Sequence, residues 1–246
     1  MTRKIFRISG SDAQDFLQGL ITNDIGRVTD GILYAAMLTP QGKYIADFFL
    51  VDAGDGAILL DVDAALAAPL VQRLTMYKLR ADVAIDETDL KVARGTGAVP
   101  ADAVIDPRHP ALGWRRYDAT GGDDGSDWDA IRVEHCIPEA GRELTPDSYI
   151  LETGFERLNG VDFRKGCYVG QEVTARMKHK TELRKGLAHV TVTGDAAPGD
   201  VITADGKPVG TLHTRSGDAA IAYLRFDRAD GEMRAGAASV ARDKAG

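Results

Sequence analysis

Only two of the 246 residues are cysteines, Cys136 and Cys167, too few for a disulfide framework. A zinc site built from these two thiols is not expected. The five histidines, His109, His135, His179, His189 and His213, are scattered without the spacing that metal ligands need, so no protein-bound metal is expected. Also missing is any apolar run long enough to span a bilayer, which argues against a membrane segment. The start, MTRKIFRISG, carries basic residues with no apolar stretch behind them, so no leader is read and a cytoplasmic protein is expected. Positive charge is in deficit: 30 Lys and Arg stand against 37 Asp and Glu, a net charge of −7. That balance opposes broad attraction to nucleic acid while leaving room for a local basic patch. Repeats and low-complexity tracts are absent.

What is present suits a folded protein: 44% hydrophobic and 27% charged residues, with length enough for two domains. Ser11 with Gln14 three residues on reads as a capping box, opening a helix that aligns Phe16, Leu17, Leu20 and Ile21 on one face. The runs ILYAAMLT, KYIADFFLVD and AILLDV, separated by turn residues, predict three antiparallel strands. A helix is predicted around PLVQRLTMYKL, with Pro69 in its first turn. RADVAIDE and LKVARG suggest further strands without a βαβ rhythm, which favours an α+β class. An acidic loop then leads into a helix capped at Ser126, with Asp127 and Asp129 in its first turn, stopped by Pro138. From KGLAHVTVTG onward, short strands alternate with DAAPGD, ADGKP and RSGD, the pattern of a small β-barrel. The domains are therefore drawn as 1–182 and 183–246.

One stretch carries chemistry, RKGCYVGQEVTARM from Arg164 to Met177. A free thiol titrates near ~8.5, and a neighbouring cation lowers that value; Arg164 and Lys165 are placed to supply the field. Gly166 and Gly170 keep bulk away from the sulfur, and Gln171 and Glu172 add an amide and a carboxylate. Two readings stay open, a reactive thiol or a buried cysteine packing a glycine-rich turn before a helix. No His-Asp pair stands nearby to make a hydrolase triad.

The run Lys165-Gly166-Cys167-Tyr168-Val169-Gly170-Gln171-Glu172 resembles the K-G-C-Y-x-G-Q-E signature of the YgfZ family of folate-binding proteins. That family is related to the T-protein of the glycine cleavage system, an aminomethyltransferase. The resemblance implies a role in assembling or repairing iron–sulfur proteins, tRNA-modifying enzymes among them. Segments DFLQGLITND and YKLRADV and the later strands resemble the same family, so the likeness spans nearly the whole chain. Tyr34 to Asp47 resembles the T-protein pattern Y-x-x-x-L-x-x-x-G-x-x-x-D-D, with Asp47 on its catalytic aspartate, Tyr34 at its head and Ala46 replacing the first aspartate. RVEHC, Arg132 to Cys136, resembles the R-x-E-A-G stretch whose glutamate grips the pterin, so the resemblance implies Glu134 as the folate ligand, with Arg132 and Tyr34 as further folate contacts. Read without the resemblance, Asp47 could face outward from a strand and Glu134 could be an exposed helix residue. Arg176, Lys178, Lys180, Arg184 and Lys185 form a basic run able to hold a folate glutamate tail or an RNA phosphate, or simply a solvated linker.

The implied protein is an α+β, aminomethyltransferase-like folate-binding body of mixed antiparallel sheets and helices, followed by a C-terminal β-barrel. Its implied cofactor is tetrahydrofolate or a related folate, and its implied partners are iron–sulfur client or assembly proteins. No direct nucleic-acid contact is expected. The rivals are a folate-dependent aminomethyltransferase or demethylase working through Asp47, and a non-catalytic scaffold stabilised by folate.

Overall fold

The computed structural model describes residues 2–179, 182–229 and 231–243. The chain forms two compact units, Met1–Ser126 with Phe155–Ala175, and Asp127–Gly154 with Arg176–Gly246. The division is interleaved, whereas the sequence reading draws one cut near residue 183.

In the first unit β1 (Arg3–Ser9), α1 (Ala13–Gln18), β2 (Ile32–Leu38), β3 (Tyr44–Asp52), β4 (Ile58–Asp63), α2 (Ala64–Lys78) and β5 (Ala84–Glu87) follow in order. The strands make an antiparallel sheet in the order β2-β3-β4-β1-β5. Alternation sends Leu33, Ala35, Met37, Phe48, Leu50, Leu60 and Val62 to one face, where they pack with Leu17, Leu70 and Leu74 of the helices. The other face carries Tyr34, Asp47, Phe49 and Asp61, also buried.

Two helix starts differ from expectation. The capping box at Ser11 does not form: α1 begins after Asp12 without a side-chain cap, and the Ser11 hydroxyl donates to Asp82 at 2.9 Å. Helix α2 begins at Ala64, because the Asp63 carboxylate accepts from the Ala65 amide at 2.8 Å and fixes the start there. Pro69 thus sits inside the helix rather than in its first turn, where it forfeits one backbone hydrogen bond.

A second sheet in this unit contains β6 (Lys91–Gly95), β7 (Val104–Ile105), β8 (Trp114–Asp118) and β9 (Gly122–Asp123), in the order β7-β8-β6-β9.

The second unit holds α3 (Trp128–Glu134) and a closed barrel of six strands among the described residues: β10 (Lys185–Thr193), β11 (Val201–Ala204), β12 (Lys207–Ser216), β13 (Ala219–Arg225), β14 (Met233–Ala235) and β15 (Ala238–Arg242). Val190, Ile202, Leu212, Leu224 and Val240 fill its interior. Helix α3 packs on β12 and β13, which explains why 127–154 group with the barrel. Its cap is Asp127, which accepts from Ala130 at 2.9 Å; Ser126 instead bonds Thr96 and Asp124. No helix among the described residues is long and apolar enough to cross a membrane.

Candidate functional site

The signature run lies just before and within α4 (Gln171–Lys178). Its docking partner is the end of α1 with the residues that follow it, 18–22, which the sequence reading assigned to the helix itself. Lys165 reaches inward, its Nζ donating to the carbonyls of Gln18 at 2.7 Å and Ile21 at 2.6 Å. The first of these is the last residue of α1, so the ammonium sits where a helix end favours a cation. The same Nζ lies 5.0 Å from the centre of the buried Tyr168 ring. Further along, the Val169 amide donates to Gly19 and the Asp162 amide to Thr22. Burial pulls the Lys165 ammonium down to about 8, against the opposing pull of Asp24 and Asp162.

Gly170 closes the run with φ +86°; a Cβ there would stand 2.6 Å from the Thr39 carbonyl and 2.9 Å from Leu38 Cβ. A Cβ on Gly166 would meet nothing within 4 Å. The stretch is therefore clamped at Lys165, Tyr168 and Gly170 and open between them. Cys167 lies in that opening, exposed and unbridged, so the buried-packing alternative does not hold. Arg164 is 94% exposed, and Lys165 directs its charge at backbone carbonyls. The expected cationic field around the sulfur from Lys165 is thus corrected to an anchoring role. Gln171 and Glu172 begin α4, half-buried and exposed respectively.

Asp47 does not face outward; it is 5% exposed. Its Oδ2 accepts from the Tyr34 hydroxyl at 3.0 Å and its Oδ1 from the Tyr44 hydroxyl at 2.5 Å. Tyr34 reaches it diagonally, since Ala36 is the residue opposite Asp47 across the strand pair. Tyr44 was not foreseen: three residues away on a regular strand, it would point to the other face. A register shift in β2–β3, with Met37 opposite Ala46 and Leu38 opposite Tyr44, adds one residue and turns both side chains the same way. Burial and the adjacent Asp47 push both tyrosine hydroxyls well above their ordinary range, so they remain donors. The Tyr34 ring stacks on Phe155 at 5.1 Å, with the Arg108 guanidinium 5.5 Å from its centre.

Beside this group lies a buried ionic cluster without sequence forewarning. Asp61, fully buried, accepts from Arg3 Nε at 2.6 Å, an Arg115 terminal nitrogen at 2.6 Å and the Tyr117 hydroxyl at 3.0 Å. Asp106 receives Arg108 through two side-chain contacts at 2.8 and 3.0 Å. Arg3, Arg108 and Arg115 all lie over the Phe49 ring, 5.5, 4.8 and 4.1 Å from its centre. The arginines hold both carboxyls below the usual range, outweighing the burial that opposes them.

Of the three residues expected to bind folate, Tyr34 belongs to the first unit, and Glu134 and Arg132 sit on α3 in the other unit. Glu134 is exposed at the end of that helix. Arg132 is 4% exposed and occupied: it pairs with Glu143 at 3.1 Å, Asp129 at 3.1 Å and Glu139 at 3.5 Å, and donates to the Ile137 carbonyl. Arg132 therefore ties its unit together, and Tyr34, fully buried, positions Asp47; neither offers a free surface to a ligand. Of the basic run, Arg184 and Lys185 line a pocket of about 950 Å³ with Glu152, Tyr223 and Arg225, whereas Lys180 lies outside the described residues. Among the described residues no group of three or more His, Cys, Asp or Glu is arranged to hold a metal ion.

Comparison with known proteins adds three findings. Residues 184–245 match the family model described as CAF17, C-terminal beta-barrel domain. The chain is 30% identical over 278 residues to the mouse protein named iron-sulfur cluster assembly factor IBA57, mitochondrial, covering 94% of this chain and 78% of that one. The human counterpart is 29% identical with the same coverages, and a homolog from Mycosarcoma maydis is 30% identical over 82% of this chain and 59% of its own. A crystal structure of glycine cleavage system aminomethyltransferase T from Bartonella henselae shares the fold, with a TM-score of 0.77 over 98% of this chain and 82% of that one at 12% identity. The α+β, aminomethyltransferase-like body with its C-terminal barrel is thus established. The cytoplasmic expectation is overturned: these sequence relatives are named mitochondrial, pointing to the mitochondrion instead.

Proposed function

The chain belongs to the IBA57 family of iron–sulfur cluster assembly factors, and from that premise we propose that it assists cluster assembly or repair in the manner of YgfZ-like proteins, with Cys167 as its working thiol. The observation that carries this is the mounting of Cys167: exposed, on a run clamped by Lys165, Tyr168 and Gly170. Preorganisation of that kind lowers the cost of presenting one ligand to a partner. The Cys167 thiol gives its proton to solvent, and the resulting thiolate bonds to an iron of a cluster brought by an assembly or client protein. The bond from that iron to one cysteine thiolate of the donor breaks, and the released thiolate takes up a proton. Clients that modify tRNA fall within this reading.

Tetrahydrofolate or a related folate is the proposed small-molecule partner. The donor set suits it: Glu134 offers an exposed carboxylate to the N–H edge of a pterin, and in the pocket Arg184, Lys185 and Arg225 outnumber Glu152 and Glu182, leaving positive charge for a glutamate-tail carboxylate. Folate would supply a one-carbon carrier when bound. The transferase alternative requires Asp47 to meet substrate, and its 5% exposure disfavours that.

Complementation of a strain lacking its own member of the family, read through the activity of an iron–sulfur enzyme, tests the thiol. Cys167→Ser should leave thermal stability unchanged and abolish rescue; full rescue would overturn the thiol role in favour of a scaffold. Calorimetric titration with tetrahydrofolate tests the ligand. Binding lost in Glu134→Ala and kept in Cys167→Ala supports the assignment, and no binding to the unaltered protein ends it.

A further inference from the structure

The first unit contains a cleft of about 340 Å³ between the start of β1 and the second sheet. Its walls carry Arg3, Lys91, Arg94 and Arg115 against one lining carboxylate, Asp123. Two of these arginines also serve the buried cluster described above, so the balance has to include what lies behind the wall. Arg3 and Arg115 share Asp61, and Arg108 holds Asp106 with Arg115 at 3.6 Å. Arg94 meets Asp123 at 3.0 Å. Lys91 lies opposite Asp118 across the β6–β8 pair. With those groups included, five cations stand against four carboxylates, and positive charge is left over.

Register sharpens the point. Arg94 of β6 lies directly opposite Arg115 of β8 in an antiparallel pair, and on its other side opposite Asp123 of β9. Like charges directly opposite on a strand pair are destabilising, so a single carboxylate flanks a row that holds two guanidinium groups. Arg115 itself is 3% exposed, and its Nε is buried with no hydrogen-bond acceptor among the described residues. A buried guanidinium donor left unmatched is costly, and among the described residues only Trp114 Nε1 and Arg132 Nε share that state. Gly122, with φ +131°, lines the same cleft, and a Cβ there would meet nothing within 4 Å.

We propose that this cleft is a binding site for a phosphate group, carried by inorganic phosphate or by a small phosphate monoester. Cations from three strands in two sheets line it, which suits the several acceptor directions of a tetrahedral dianion better than a planar carboxylate. The site is independent of Cys167 and of the folate assignment: all its lining residues fall within 2–3 and 91–123.

The test is calorimetric titration of the full chain with inorganic phosphate at ionic strength held constant with chloride. Three proteins are compared, the unaltered one, Lys91→Glu and Arg94→Gln. Arg115 is avoided because the fold depends on it. Saturable binding weakened at least tenfold in both variants, with their thermal midpoints in chloride unchanged, supports the site. No saturable heat in the unaltered protein overturns it, as does equal affinity in all three. A parallel titration with glycerol phosphate separates the two sources: tighter binding than inorganic phosphate assigns the ester, weaker binding the free ion. Malonate binding more tightly than either phosphate would overturn the phosphate assignment.

Discussion

Asp47 and Asp61 project from the same face of one sheet, on neighbouring strands, and both are buried. Asp61 is met by two guanidinium groups and a tyrosine hydroxyl, so its charge is neutralised inside the fold. Asp47 is met by two tyrosine hydroxyls and, among the described residues, by no cation at ion-pairing distance. Burial alone therefore does not separate a structural carboxylate from a candidate functional one; the identity of the partners does. Lys165 makes the same point with the opposite sign, a buried ammonium held by two neutral carbonyls.

Breaking the neutralised carboxylate should have the largest effect. Asp61→Ala leaves Arg115 buried without its main counter-charge, and loss of one partner from such a cluster costs about 3–5 kcal/mol. Chemical denaturation followed by tryptophan fluorescence reads this; a loss below about 1 kcal/mol would break the distinction.

Acid comes next. Asp61 and Asp106 titrate below their ordinary range in the fold, so their contribution is present above an unfolded value near ~4 and is lost as pH falls through the folded values. Stability measured from pH 6 downward should fall in the unaltered protein and should fall less in Asp61→Asn. Equal acid limbs in the two would erase the contrast.

Smaller still, Tyr44→Phe removes one hydroxyl from Asp47 and should cost about 1 kcal/mol, the net worth of a typical hydrogen bond. Chemical denaturation of this variant beside the unaltered protein checks it, and a loss as large as that of Asp61→Ala would erase the contrast.

The smallest effect extends the comparison to Lys165. Its folded value of about 8 lies below an unfolded value near ~10.4, so between these the unfolded chain binds more protons and stability should rise with pH. Lys165→Met should remove that rise; a denaturation series from pH 7.5 to 10 in both proteins checks it.

The strands around residues 32–63 were legible because each alternates over a short run and is bounded by turn residues. The Cys167 run was legible through its resemblance to a known signature. What escaped depended on distance or irregularity. Arg3 and Asp61 are 58 residues apart, Arg115 and Asp61 54, and Lys165 meets Gln18 across 147. No local pattern announces such pairs. Tyr44 escaped because a register shift defeats the two-residue period on which strand reading rests. Arg132 was read as a ligand by likeness to a motif, and its burial beneath three carboxylates is a property of the packed unit alone.

The interleaving of the two units bears on how the chain is made. Residues 127–154 belong with the barrel, yet they leave the ribosome before 155–175, which complete the first unit. The first unit therefore cannot close when its first 126 residues emerge: Phe155, which stacks on Tyr34, and Lys165, which clamps the end of α1, arrive later. During synthesis the early sheet must wait with its aromatic face incomplete while a segment destined for the other unit passes by, the kind of interval in which exposed apolar surface invites misassembly. A cut between residues 126 and 127 would make that wait permanent.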